Sequence, residues 1–231
     1  MAESYQFIFI FLLILTTAVE FYLGHRQKNF VSKNKKKVPS AFTKIIKLAD
    51  HKKAADYTVS KINFNSIELI FGAIILYLFT LGGGINLMNN LMGQYFENPL
   101  LNGAVIITSI FVALHLIGIP SAIYQTFVIE TKYGFNKITP KLFFTYQIKS
   151  VIIMIILSVV VSFAALWILS ELGNEWWLWL WIFLSVLSLI GVALAPVLKQ
   201  LFNKYTPIKD KSLKKNIEKL LKRCGFESSG L

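Results

Sequence analysis

Five long apolar runs alternate with polar stretches along the chain, at about Tyr5–Leu23, Ile67–Met88, Leu100–Val128, Ser150–Ser170 and Trp176–Leu198. A helix rises ~1.5 Å per residue, so about 20 residues cross a hydrocarbon core of about 30 Å, and each run is long enough to do so. The third is longer, which permits tilt or an extension beyond the membrane. Every gap between runs carries charges or turn residues. The pattern predicts an all-α, polytopic membrane protein: a five-span membrane domain over residues 1–202, then an amphipathic segment over 203–231.

Two polar stretches carry helical patterns of their own. After "SKNKKK" (Ser32–Lys37) and the turn at Val38-Pro39, Ser40 is placed to cap a helix through "AFTKIIKLADHKKAADYTVSK", with Phe42, Ile45, Ile46 and Ala49 at helical spacing. In the tail, "SLKKNIEKLLKRCGF" puts Leu213, Ile217, Leu220, Leu221 and Cys224 on one face and lysines opposite. Pro207 and Asp210 precede that helix as start signals, and Gly225 follows as its C-terminal cap. Such a helix suits either the bilayer surface or a soluble domain.

Composition agrees with the membrane reading: 55% of residues are hydrophobic and the mean hydropathy is +0.58. The single cysteine, Cys224, excludes a disulfide framework within the chain, and no Cys/His cluster has zinc-site spacing.

The net charge of +12 gains its meaning from position. Of 24 Lys and Arg, 11 lie between Arg26 and Lys61, four between Lys132 and Lys149, and nine between Lys199 and Arg223. The N-terminus and the second and fourth gaps have none; Glu3, Glu97, Glu171 and Glu175 sit there instead. Lys and Arg in short loops mark the cytoplasmic side. The N-terminus is therefore expected outside, with gaps one and three and the C-terminus in the cytoplasm, as an odd number of spans requires. The lysines of the first gap, "SKNKKK" foremost, serve as that topology signal, with contact to anionic headgroups as their second reading. They lack the interleaved aromatics that single-stranded nucleic acid needs, so no nucleic-acid partner is expected.

The first span has no basic n-region and no A-x-A-like cleavage site, so it reads as a retained anchor. Trp176, Trp177, Trp179 and Trp181 open the fifth span as an aromatic belt. Gly82-Gly83-Gly84 lies inside the second span and suggests a kink or close helix approach. Asn86, Asn89 and Asn90 come next, expected to face water or a partner helix. His115 sits mid-span beside Pro120, where a neutral imidazole bonded to a neighbouring helix is expected. No H-E-x-x-H, G-x-S-x-G, P-loop or G-x-G-x-x-G occurs. No catalytic residue and no metal ligand is therefore assigned.

The stretch between the third and fourth spans is too elaborate for a plain connector. Gly134 suits a positive φ between bulky neighbours, and Pro140 suits the first turn of the next helix. Asn136 and Thr139 can satisfy helix-end backbone groups, and Glu130 can pair with Lys132 or Lys137. "FVIETKYGFNKITPKLFFTYQIKS" resembles the signature of the integral-membrane zinc metalloproteases related to type-1 CAAX prenyl protease. The matching residues are Glu130, Lys132, Tyr133, Gly134, Phe135, Asn136, Lys137, Thr139 and Pro140, then Gln147, Lys149 and Ser150. A second match is "APVLKQLFNKYTPI", with Pro196, Leu201, Phe202, Asn203 and Lys204, and Gln200 departing from a proline frequent in the family. A third is "HKKAADYTVSKINF", His51 to Phe64.

The resemblance covers nearly the whole chain and implies an N-terminal five-span module. In the family a peptidase domain comes after it, with H-E-x-x-H, a downstream glutamate ligand and two more spans. Its zinc-bound water and general-base glutamate suit peptide hydrolysis. Zinc is thus expected in the full-length family and no cofactor in this chain, which is expected to be inactive alone. Its tail reads as the start of a missing peptidase domain. The expected function is to form part of the membrane chamber and to dock, through the Glu130–Pro140 loop, a peptidase domain in a longer or separate chain. The alternative is a free-standing, non-catalytic membrane scaffold or regulator. The bilayer is the other partner, and the expected location is a bacterial inner membrane, or the ER membrane if the source is eukaryotic.

Overall fold

The computed structural model describes residues 2–93, 95–202 and 210–226. These are helical throughout apart from turns, and five helices are long and apolar enough to cross a membrane. The chain divides into two compact units, Met1–Glu171 and Leu172–Leu231.

In the first unit, α1 (Ala2–Asn34) packs on α2 (Leu48–Thr80), and α4 (Pro99–Tyr124) packs on α6 (Pro140–Glu171). The short α3 (Gly84–Met92) contacts both α2 and α4. Helix α4 continues through a π-helical stretch, Gln125–Glu130, into the three-residue α5 (Thr131–Tyr133). Pro120 within α4 cannot donate the usual backbone bond.

Small residues make the α4–α6 contact. Ala104 is fully buried, and a Cβ on Gly103 would come within 2.8 Å of Leu166 Cδ1. Thr108, also buried, donates its one hydroxyl proton to Ala104 O at 2.8 Å, so the Ser158 hydroxyl, 3.1 Å away, donates to Thr108 Oγ1. Lipid tails are as apolar as leucine, so membrane helices gain by close backbone approach and short polar contacts.

Two sequence expectations need correction here. The helix placed from Ser40 begins instead at Leu48; Ser40–Phe42 is one 3-10 turn, and Ser40 makes no side-chain cap. From Leu48 the helix runs without a break through Lys61 into the second span, because Lys61, Asn63 and Asn65 interrupt hydropathy without interrupting helical bonding. The second span does not reach Met88. It stops at Thr80, Gly83 takes φ +85°, and α3 begins afresh. The glycine triplet breaks the helix, which is more than a kink. Asn86, Asn89 and Asn90 on α3 are all exposed.

His115 also departs from expectation: its Nε2 is buried with no hydrogen-bond partner.

In the second unit, α7 (Trp176–Phe202) exposes the rings of Trp177 and Trp181. Helix α8 (Lys211–Arg223) starts where the tail pattern puts it. Asp210 Oδ1 accepts from Ser212 N and Leu213 N, at 2.8 and 3.1 Å. At the other end Gly225 has φ +71°, Phe226 N donates to Leu221 O, and Gly225 N donates to Lys222 O.

Candidate functional site

The loop after α5 is built by a glycine. Gly134 takes φ +79°, which lets its N–H donate to Thr131 O at 3.0 Å and Phe135 N donate to Glu130 O at 2.9 Å. This is a Schellman closure, and it satisfies carbonyls that the helix end would otherwise leave open. Asn136 Nδ2 donates to Thr131 Oγ1 at 3.0 Å, while its Oδ1 accepts from Ile138 N at 2.7 Å. Thr139 Oγ1 accepts from Leu142 N at 3.3 Å, and Pro140 opens α6. Phe127 and Phe143 meet edge to face across the loop at 5.4 Å.

The π-turn before this loop inserts one residue into the helical register, rotating the downstream residues by about 100°. Ile129 within it and Tyr133 beyond it are buried, and the π-helical stretch contacts α2. There the segment His51–Phe64 meets the Glu130–Pro140 loop. Tyr57 OH donates to Glu130 Oε1 at 2.6 Å, a short, charge-assisted bond. Lys61 Nζ stands 3.9 Å from the same oxygen and 5.5 Å from the Tyr57 ring centre. Tyr133 OH donates to Asp56 O at 3.0 Å; its one proton is then spent, so the Ser60 hydroxyl, 2.7 Å away, donates to it. The Tyr57 ring packs on Tyr133 at 5.3 Å and on Phe135 at 4.8 Å.

The expected pairing of Glu130 with Lys132 or Lys137 is therefore replaced by Tyr57 and Lys61. Lys132 lies over the Tyr133 ring at 5.6 Å, and Lys137 is exposed. Lys35 Nζ pairs with Asp56 Oδ1 at 2.9 Å, joining the end of α1 to the same cluster. In the second motif, Leu201 and Phe202 end α7, and Pro196 lies within that helix; Asn203 and Lys204 fall outside the described residues.

One contact is not apparent from the sequence. Ser121 Oγ donates to Glu68 Oε1, tying α4 to α2 next to Pro120. A carboxylate inside an apolar run was the available signal.

Chemically, the cluster is a fastened surface. The Glu130 carboxylate is engaged by a phenol and an ammonium, the Asp56 carboxylate by Lys35, and no nucleophile is aligned with a base. Among the described residues no three His, Cys, Asp or Glu come together to hold a metal ion, so these residues do not fit zinc.

The chain is 28% identical over 241 residues to the CAAX prenyl protease 1 homolog of Dictyostelium discoideum, covering 98% of this chain and 54% of that protein. It is 30% identical over 200 residues to the homolog of Caenorhabditis elegans, covering 86% and 44% respectively. The crystal structure of S. mikatae Ste24p superposes with a TM-score of 0.84 at 25% identity, over 94% of this chain and 52% of that one. The chain thus spans about half the length of the curated relatives it matches. These relatives are eukaryotic and give the expectation of a bacterial inner membrane no support. The family described as CAAX prenyl protease N-terminal, five membrane helices, matches residues 27–204, and the chain belongs to it.

Proposed function

We propose that this chain acts as the membrane domain of a zinc metalloendopeptidase of the CAAX prenyl protease type, and that its lysine-rich end is the docking surface for the peptidase domain. Residues 1–202 contribute part of the membrane chamber, and 203–231 lead toward the peptidase domain. The N-terminus lies outside and the lysine-rich end in the cytoplasm, by the placement of the basic residues.

The observation carrying this reading is the Tyr57–Glu130–Lys61 cluster, which locks two family-like segments into one surface. A bare hairpin turn needs no such fastening. Fixing a loop by bonds to a neighbouring helix lowers the ordering cost of any partner that lands on it. Phe135, 55% exposed, and Lys137 stand on that surface. The 231 residues contain no H-E-x-x-H, so the chemistry of peptide hydrolysis is assigned to the docked domain. The test is a peptidase assay on the purified chain with added zinc. Hydrolysis no higher than in a mock purification is expected; clear zinc-dependent cleavage would overturn the assignment.

A further inference from the structure

We propose that a cleft beside the Tyr133 cluster binds an anionic phospholipid of the bilayer, with Lys132 holding its phosphate. The cleft has a volume of about 460 Å³ and lies between α2 and the α4–α5 helix. That volume is in the range of small-molecule sites and accommodates a headgroup with the first carbons of its chains.

Its lining changes character along its length. Ile67 opens the apolar run of the second span and Val128 ends that of the third, and with Phe64 and Tyr124 they form an apolar wall. Phe64 and Tyr124 stack on each other at 5.2 Å within that wall. At the other end stand Lys132 and Asn63, beside Ser60 and Tyr133. Ser60 and Tyr133 are already hydrogen-bonded to each other. Lys132 pairs with no carboxylate among the described residues, and no Asp or Glu lines the cleft.

The change from apolar to cationic therefore falls where the apolar runs end, at the boundary between hydrocarbon and headgroups. An acyl chain gains by covering the aromatic wall, while a phosphate gains from the ammonium and the Asn63 amide. A neutral peptide helix would leave the ammonium without a counter-charge. A soluble anion would leave the apolar wall uncovered. An anionic glycerophospholipid satisfies both ends. The site is independent of peptidase docking, since it requires only the first unit of the chain and a membrane.

The test uses the full chain in nanodiscs of phosphatidylcholine with a minor fraction of phosphatidylglycerol, followed by native mass spectrometry of the released protein. Wild type is expected to keep phosphatidylglycerol in preference to phosphatidylcholine. Lys132→Ala should lower that retention about five-fold, as expected for one lysine at a membrane surface. Val128→Trp, which fills the apolar wall, should lower it as well, and Lys219→Ala on α8 should leave it unchanged. Circular dichroism checks that each variant keeps its helices. Equal retention of both lipids by wild type would overturn the proposal. So would unchanged retention in a folded Lys132→Ala protein, or a polypeptide retained in place of lipid.

Discussion

The phenol of Tyr57 donates a 2.6 Å hydrogen bond to the carboxylate of Glu130, 73 residues further along the chain. Lys61, one helical turn from Tyr57, approaches the same oxygen. This contact makes the Glu130–Pro140 loop and the start of α2 one unit. Removing the hydroxyl by Tyr57→Phe leaves Glu130 with only the long contact to Lys61. A loss of about 1.5–3 kcal/mol is expected, the range for hydrogen bonds to charged groups. In a double-mutant cycle with Glu130→Gln, unfolding in detergent should give a coupling of about 1 kcal/mol or more, as for contacting residues. Additive effects would show that the two residues do not support each other.

Gly134 tests the loop separately. Its Cβ would meet only Lys53 Nζ at 3.6 Å, so space is not the obstacle; the backbone is, at φ +79°. Gly134→Ala should cost about 1–2 kcal/mol, and Gly134→Asn less, because asparagine tolerates the left-handed region. The same thermal unfolding measurement distinguishes them, and equal costs would point to a steric cause instead.

The α4–α6 contact predicts a contrast between two changes in one helix. Ala104→Leu pushes a large side chain into a fully buried position and should destabilise by about 1–3 kcal/mol. Gly118→Ala adds a Cβ with nothing within 4 Å and should not destabilise the protein; alanine is the better helix former by up to about 1 kcal/mol. Thermal shifts of opposite sign, or one near zero, are expected. Destabilisation by Gly118→Ala would mean that a neighbour covers that face.

Orientation is tested by labelling single cysteines after Cys224→Ser. With a membrane-impermeant maleimide, Glu97→Cys should react in intact cells and Lys137→Cys only after permeabilisation. The reverse pattern would invert the proposed topology.

Much of the fold is legible in the sequence because its determinants are local. Span number follows from apolar length, and the Asp210 and Gly225 caps of α8 sit where capping chemistry puts them. The start of α2 departs from the hydropathy pattern for a physical reason. Hydropathy falls at Lys61, Asn63 and Asn65, yet α-helical bonding continues through them, so one helix looks like two. The candidate site shows the same division. Gly134, Thr139 and Pro140 occupy the backbone roles their chemistry suggests. The partner of Glu130 is not legible that way: a local rule offers Lys132 or Lys137, whereas packing of α2 against the rewound helix supplies Tyr57 and Lys61. The Ser121–Glu68 bond likewise depends on how two helices meet.

Docking of a peptidase domain at the lysine-rich end is tested most directly by site-specific photo-crosslinking. The chain would carry the crosslinker at Lys137 or, at the other end of the bundle, at Asn90, and be combined with the peptidase half of a CAAX prenyl protease 1 relative. Capture from Lys137 and none from Asn90 is the expected result. Capture from Asn90 alone, or equally from both positions, would contradict it.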